Sequence, residues 1–350
     1  MTVDDRARGG APPLDVVAFT GGTDVPSARF RVRQFVPALH ALGVRVTEWP
    51  ARRGTYPPAG RWRRPAWAVR TLASRLRDLA RVPRGGVTLL QRELVSTLVT
   101  LEPLTPRPRV LDVDDAIWIW GGEAFARRLA GLCDRVVCGN AFLAEQFGRW
   151  HPRVEVLPTA VDTARFAPGA AADAARAPIV GWSGSASTLP HLHAIERPLA
   201  EVLRRHPDAT LRVVCDRPPR LPALADRVEF VRWSPDAEVR AIREMSIGLM
   251  PLDDTVAARG KCSLKMLLYM ACGVPVVVSP VGTNAEVLAR GAVGRGARTD
   301  DDWVDAVDEL LRDSGRRRAL GECGREIVER EFSVRALAPR LAAILRDAAG

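Results

Sequence analysis

The chain has 350 residues, 51 of them Lys or Arg and 41 Asp or Glu, for a formal net charge of +10 carried mostly by arginine. That length favours two domains of ordinary size. The positive balance suits an anionic partner without choosing between a nucleotide, a lipid surface and nucleic acid. No apolar run reaches the ~18 residues of a membrane span. The six cysteines show no C-x-x-C and read as reduced, buried thiols of a cytoplasmic protein rather than as disulfides or a zinc site.

Residues 1–13 carry early acids and no apolar core, so they are not expected to be a secretory leader. A short apolar run at 14–19 predicts a strand ending in Gly21-Gly22. A helix-like segment follows from Ser27, a candidate N-cap, to a stop at Gly43, with Pro37 inside it as a kink or early break. Further β-rich runs at 87–91, 109–115, 134–140 and 154–162 alternate with helical stretches. Residues 167–178, small and bounded by prolines, read as a linker. The alternation resumes at 178–187, 209–216, 227–233, 247–252 and 274–280, and residues 303–349 read as almost continuous amphipathic helix. Strands alternating with helices predict parallel sheets covered on both faces. The expectation is therefore an α/β chain of two Rossmann-like domains facing each other across a cleft: 1–166, the linker 167–178, 179–332, and a last helix 333–350 crossing back to the first domain. Ligands of such sheets bind beyond the carboxyl ends of the strands.

The strand ends are thus the places to look for chemistry. "GWSGSAS" after the first strand of the second half offers close backbone approach at Gly181 and Gly184 and donors at Ser183, Ser185 and Ser187. It can hold a phosphate or be an ordinary tight turn. "GKCSLKMLLYMACGVPVVVSP" (260–280) reads as a helix feeding a buried strand. With a start near Gly260, Lys261, Lys265, Leu268 and Cys272 share one face. Lysines at a helix N-terminus oppose its dipole by ~0.3–1 kcal/mol each. A docked anion would turn that cost into attraction, and Arg259 would add a third cation. Trp233 ends another strand, where it can flank a base.

In the first half, Asp112-Val113-Asp114 is a short D-x-D. A magnesium site there is disfavoured, and acid or hydrogen-bond duty for Asp114 is preferred. Residues 51–86 are dense in arginine. On a helix after Pro65, Arg70, Ser74, Arg77 and Arg81 line one side and Val69, Leu72, Leu76 and Leu79 another. The preferred reading is a surface helix packed on its own domain. The alternative is peripheral contact of residues 61–84 with an anionic membrane, anchored by Trp62 and Trp67. Nucleic-acid motifs are absent. The five histidines show no metal spacing and read as structural or exposed.

Taken in order, "PSARFRVRQFVPALHALG", "LDVDDAIW", "CDRVVCGNAFLAEQF", "VEVLPTAVDTARF", "IVGWSGSAS" and "ARGKCSLKMLLYMACGVPVVVSPVG" resemble the GT-B fold glycosyltransferases, specifically the retaining family 4, over residues 14 to about 335. The resemblance implies a nucleoside-diphosphate sugar as co-substrate, held mainly by the second domain, and a hydroxyl acceptor held mainly by the first. It implies no metal and no other cofactor.

The departures are informative. The family's Glu-x7-Glu pair falls on Gly260 and Leu268, and its Arg and Lys fall near Trp182 and Thr188. Lys265 is retained from a subgroup pattern, and a usual His-Asp pair looks replaced by Asp114-Asp115. The resemblance therefore implies a donor site built from Gly21, Gly22, Gly181, Ser183, Gly184, Ser185, Trp233, Arg259, Lys261, Ser263, Lys265 and Leu268. Asp114, Lys261 and Lys265 are the candidate catalytic residues, and Arg29, Asp115 and Trp118 are the acceptor contacts. Leu268, unable to hydrogen-bond a ribose diol, tilts the donor toward a dTDP over a UDP type. The alternatives are a catalytically inactive GT-B partner protein and a non-hydrolysing nucleotide-sugar epimerase.

Overall fold

The computed structural model describes residues 13–23, 25–52, 57–58, 60–83, 85–169 and 177–350. The leader expectation on 1–13 and most of the expected linker lie outside them. The chain divides into two compact units, Met1–Ala160 with Val334–Gly350, and Val161–Ser333.

The first unit holds six strands, β1 (Leu14–Thr20), β2 (Val44–Pro50), β3 (Val87–Gln91), β4 (Arg109–Val113), β5 (Arg135–Cys138) and β6 (Val154–Val156), in the order β2-β1-β3-β4-β5-β6. Every pairing is parallel. The strands read as near-continuous apolar runs because both sheet faces are covered. Val16, Ala18, Leu89 and Val110 share a core with Phe35, Leu39 and Val44, and helix Val334–Ala349 adds Leu337, Leu341 and Leu345 to it. The segment after Ser27 is broken. A π-turn Ala28–Val32 and a short 3-10 turn lead into helix Val36–Ala41, with Pro37 in its first turn, where no amide hydrogen bond is lost. Gly43 closes it at φ 75°.

The second unit repeats the plan with β7 (Ile179–Ser183), β8 (Thr210–Cys215), β9 (Val228–Arg232), β10 (Ile247–Met250), β11 (Val276–Val278) and β12 (Gly294–Gly296), in the order β12-β11-β10-β7-β8-β9. All pairings are again parallel. Trp182, Val202, Val213, Leu249, Val277, Trp303 and Val307 belong to its core. The chain reverses its direction of travel across each sheet at one place, between β1 and β3 in the first unit and between β7 and β10 in the second. In sheets of this kind such a reversal is the place where neighbouring loops diverge and ligands bind beyond the strand ends.

Two sequence expectations change. The helix expected from Gly260 begins at Leu264 and runs to Ala271. Val256–Arg259 is a separate helical turn capped by Thr255, and Ser263 stands between the two at φ 52°. A left-handed non-glycine residue breaks the helix, so Lys261 precedes the helix that carries Lys265. The second change concerns helix Arg64–Leu79. Its fully buried side chains are polar, Thr71, Arg75 and Asp78 each being 2% exposed, whereas Leu72 and Leu79 are half-buried and Val69 and Leu76 exposed. Arg75 donates to the carbonyls of Thr20 at 2.7 Å and Trp49 at 2.9 Å.

Candidate functional site

The strand ends of the second unit bring together residues from four loops. After β7 the chain passes Gly184, whose amide extends the sheet by donating to Val214 O at 2.9 Å. A side chain at 184 would lie 2.4 Å from the Trp182 indole and 2.8 Å from Thr188 Oγ1, so only glycine fits. The loop is pinned by Asp216, whose carboxylate accepts from Ala186 N at 2.6 Å. Ser183 is buried: its amide donates to Tyr269 Oη at 2.8 Å and its hydroxyl to Glu238 at 3.2 Å. Burial pushes the Tyr269 hydroxyl well above its ordinary range, so it stays a neutral acceptor.

Lys265, in the first turn of helix Leu264–Ala271, reaches into this loop. Its Nζ lies 4.8 Å from the centre of the Trp182 ring and 3.3 Å from Thr188 Oγ1. Among the described residues it forms no ion pair. The ammonium is desolvated, and burial, followed by repulsion from Lys261, pulls its pKa down to about 7. The buried Trp182 Nε1 has no acceptor among the described residues. His191, in the short helix Leu189–His193 that follows this loop, stands 3.4 Å from Asp253 of the loop after β10. Burial pushes His191 down, the attraction of Asp253 opposes that, and Lys265 and Lys261 add to it. The β7 and β10 strand ends thus carry Lys261, Lys265, His191 and the Gly-Ser loop, with Glu238 and Asp253 as the carboxylates acting on Lys265 and His191.

The remaining candidates are placed differently. Arg259 is exposed and held by Asp254 at 2.7 and 3.1 Å, so its charge is already balanced. Ser263 is buried and donates to Asn284 at 2.6 Å. Leu268 is 2% exposed; it is core and says nothing about a ribose hydroxyl. Gly181 sits inside β7 against Met245, whose sulfur would be 2.1 Å from a Cβ there, so it serves packing. Ser185 is exposed and shares a 2.8 Å hydrogen bond with Ser187. Trp233, half-buried, follows β9 and donates its amide to Cys215 O at 2.8 Å.

In the first unit, Gly21 and Gly22 are buried after β1, with Gly22 at φ 146°. Asp112 is not free for a metal: Arg31 clasps it with Nε 3.1 Å from both carboxylate oxygens and Nη2 at 2.5 Å, and donates to Leu157 O at 2.7 Å. Asp114 accepts from Arg92 Nε at 2.6 Å, and Asp115 lies 3.6 Å from the same guanidinium. Asp115 also caps Ala116 N at 3.0 Å. Arg29 is half-buried over the Phe30 ring at 4.3 Å. Trp118 is buried among Phe142, Phe147 and Trp150, with ring centres 6.0–6.1 Å away, and is a core residue.

Sequence reasoning missed Arg92 and His191. Arg92 follows β3 at φ 60°, a conformation rare for a side chain of that size. Neither residue lies in a motif. Only the sheet order, which places the ends of β3 and β4 side by side and those of β7 and β10 side by side, reveals them.

Comparison with known proteins agrees with this architecture. Residues 177–313 match the family model described as "Glycosyl transferases group 1". A D-inositol 3-phosphate glycosyltransferase of Nocardia farcinica is 30% identical over 57% of this chain and 49% of its own. A GDP-mannose-dependent alpha-(1-6)-phosphatidylinositol monomannoside mannosyltransferase of Mycolicibacterium smegmatis is 31% identical over 55% of this chain and 56% of its own. The chain spans about half the length of the curated relatives it matches. Among solved structures, a sucrose-phosphate synthase from Thermosynechococcus elongatus superposes with a TM-score of 0.71 at 18% identity, covering 95% of this chain and 98% of its own. Anabaena HepE in complex with UDP-glucose gives 0.68 at 13% identity, covering 95% and 100%. Topology, neighbours and the matched segment converge: the chain has the GT-B fold, and its residues 177–313 match the model of the glycosyl transferases group 1 family.

Proposed function

We propose that this chain is a retaining, metal-independent glycosyltransferase that moves a sugar from a nucleoside-diphosphate donor to a hydroxyl acceptor. The observation that carries the reading is the partly buried Lys265 ammonium, set over Trp182 and against Thr188 and forming no ion pair among the described residues. A desolvated cation is costly unless an anion joins it. The place where it sits, beyond the β7 and β10 ends, is where this type of sheet binds phosphate-bearing ligands. Relatives named as GDP-mannose-dependent and neighbours solved with UDP-glucose support a nucleoside diphosphate as that anion.

The chemistry follows from the charge. Breaking the sugar–phosphate bond develops negative charge on the departing diphosphate. Lys265 and Lys261 then attract it more strongly than they attract the intact donor, and that difference is what accelerates the step. The Gly184 backbone, kept bare by the Trp182 ring, lets the loop approach the phosphates closely. In a front-face displacement the departing phosphate takes the acceptor proton, so no strong protein base is needed. We assign acceptor handling to the first-unit strand ends, where Asp114, Asp115 and Arg92 make a charge-paired polar group.

A thermal-shift screen with UDP, dTDP, GDP and ADP, with and without EDTA, tests the donor site. At least one nucleotide raises the melting temperature, EDTA leaves the rise unchanged, and Lys265→Ala abolishes it. Melting temperatures indifferent to all four nucleotides would overturn the reading.

A further inference from the structure

Helix Arg64–Leu79, with the turn Arg61–Arg63 before it, buries polar side chains most deeply and leaves part of its apolar surface exposed. Its protein-facing side is held by the Arg75 guanidinium on two backbone carbonyls and over the Phe19 ring at 5.8 Å. Burial lowers Arg75 to about 10, still charged at neutral pH. Asp78, on that same side, lies 3.7 Å from Arg52. Leu72 and Leu79 are half-buried at the edge of that anchored side, and Val69 and Leu76 face outward. Trp62 is 90% exposed, Val69 67% and Leu76 53%. With the exposed Ala66 and Ala73 they recur at alternating steps of four and three residues, which is one continuous stripe on a helix. Arg63, Arg70, Arg77 and Arg81, all exposed, run along one flank of that stripe. The only acid between 60 and 83, Asp78, points inward. Beside the arginines lies a pocket of about 220 Å³ lined by Arg52, Ser74, Arg77, Asp78 and Arg81, large enough for a phosphate group.

An outward apolar stripe has to be covered by something, and the charge beside it selects what. A second copy of the chain laid stripe to stripe would set arginine against arginine. An acidic protein surface would answer the arginines but offers no reason for a row spaced along a helix lying flat. An anionic bilayer meets both demands: its acyl boundary takes Trp62, Val69 and Leu76, and its phosphates take the arginines, whose long stems reach up from the edge of the buried stripe. We propose that this helix is a membrane-surface anchor, lying in the plane of an anionic leaflet with a lipid phosphate at the Arg77–Arg81 pocket. The inference is independent of the donor site.

Flotation of the full chain with vesicles tests it. The parent protein floats with phosphatidylcholine vesicles containing phosphatidylglycerol, and raising salt releases it. Replacing Trp62, Val69 and Leu76 together by serine lowers the partition by about tenfold or more, since each was paying into the apolar transfer. Replacing Arg63, Arg70 and Arg77 by glutamine removes the phosphatidylglycerol dependence and leaves the weaker binding to pure phosphatidylcholine. All six positions are exposed, so circular dichroism and melting stay those of the parent. The proposal fails if the parent stays with the unbound protein, or if the serine variant floats as well as the parent. It also fails if the parent is a dimer that the serine variant splits, because the stripe is then covered by a second copy.

Discussion

Two strand-end clusters, one beyond β3 and β4 in the first unit and one beyond β7 and β10 in the second, treat charge oppositely. In the first unit Arg92 is matched by Asp114 and Asp115, and Arg31 is matched by Asp112. Each positive group there has its own carboxylate at hydrogen-bond distance or close to it. In the second unit Lys265 is desolvated and has a ring and a hydroxyl instead. A balanced pair is complete without a ligand and stabilises the fold or presents a neutral polar surface. A partly buried cation that forms no ion pair is incomplete without one. The contrast between these clusters, more than the presence of basic residues in either, favours the second unit as the side of the proposed anion site.

Three perturbations break or sharpen the contrast. The largest effect is expected where charge is balanced and buried. Asp112→Ala strands Arg31 in the core and lowers unfolding free energy by about 3 kcal/mol, read by denaturant titration, while nucleotide binding by the folded fraction persists. Next is the unbalanced cation. Lys265→Ala, under the proposed function, lowers kcat/KM by at least about tenfold, or about 1.4 kcal/mol, with little change in stability. Unchanged turnover in that variant removes Lys265 from the site.

The smallest effect is a pH dependence. Free Lys265 loses its proton near pH 7. The diphosphate binds the protonated form and holds that proton more tightly, so above neutrality binding takes up a proton and affinity falls as pH rises. The expected loss is about fivefold from pH 7 to pH 8, measured by calorimetry with a nucleotide sugar, whose diphosphate does not titrate in that range. The slope disappears in Lys265→Arg.

The strands at 14–20, 87–91, 109–113, 179–183, 210–215 and 276–278 are legible because parallel strands covered on both faces are written as unbroken Val, Leu and Ile. β2 and β12 escape that reading, and both lie at sheet edges, one alternating polar residues and the other reduced to Gly-Arg-Gly. The basic segment at 259–265 is visible as charge. Its geometry is not, because a serine in left-handed backbone at 263 violates the propensity that any helix reading relies on. Helix Arg64–Leu79 misleads for a related reason: periodicity assumes that the whole apolar side faces inward, whereas Val69 and Leu76 are exposed, Leu72 and Leu79 only half-buried, and Arg75 is buried on two carbonyls. Arg92 and Asp114, twenty-two residues apart in sequence, meet only through the β3–β4 pairing, which no local pattern announces.

The contact between Trp182 and Gly184 restricts how this loop can change over generations. A side chain at 184 collides with the indole, and the indole keeps its place only while 184 stays bare. The two positions are therefore epistatic. Gain of any side chain at 184 is tolerated only after Trp182 has been replaced by something smaller or more pliable, and the opposite order passes through a misfolded loop. Lineages carrying this tryptophan should hold the glycine fixed, whatever sugar they come to use.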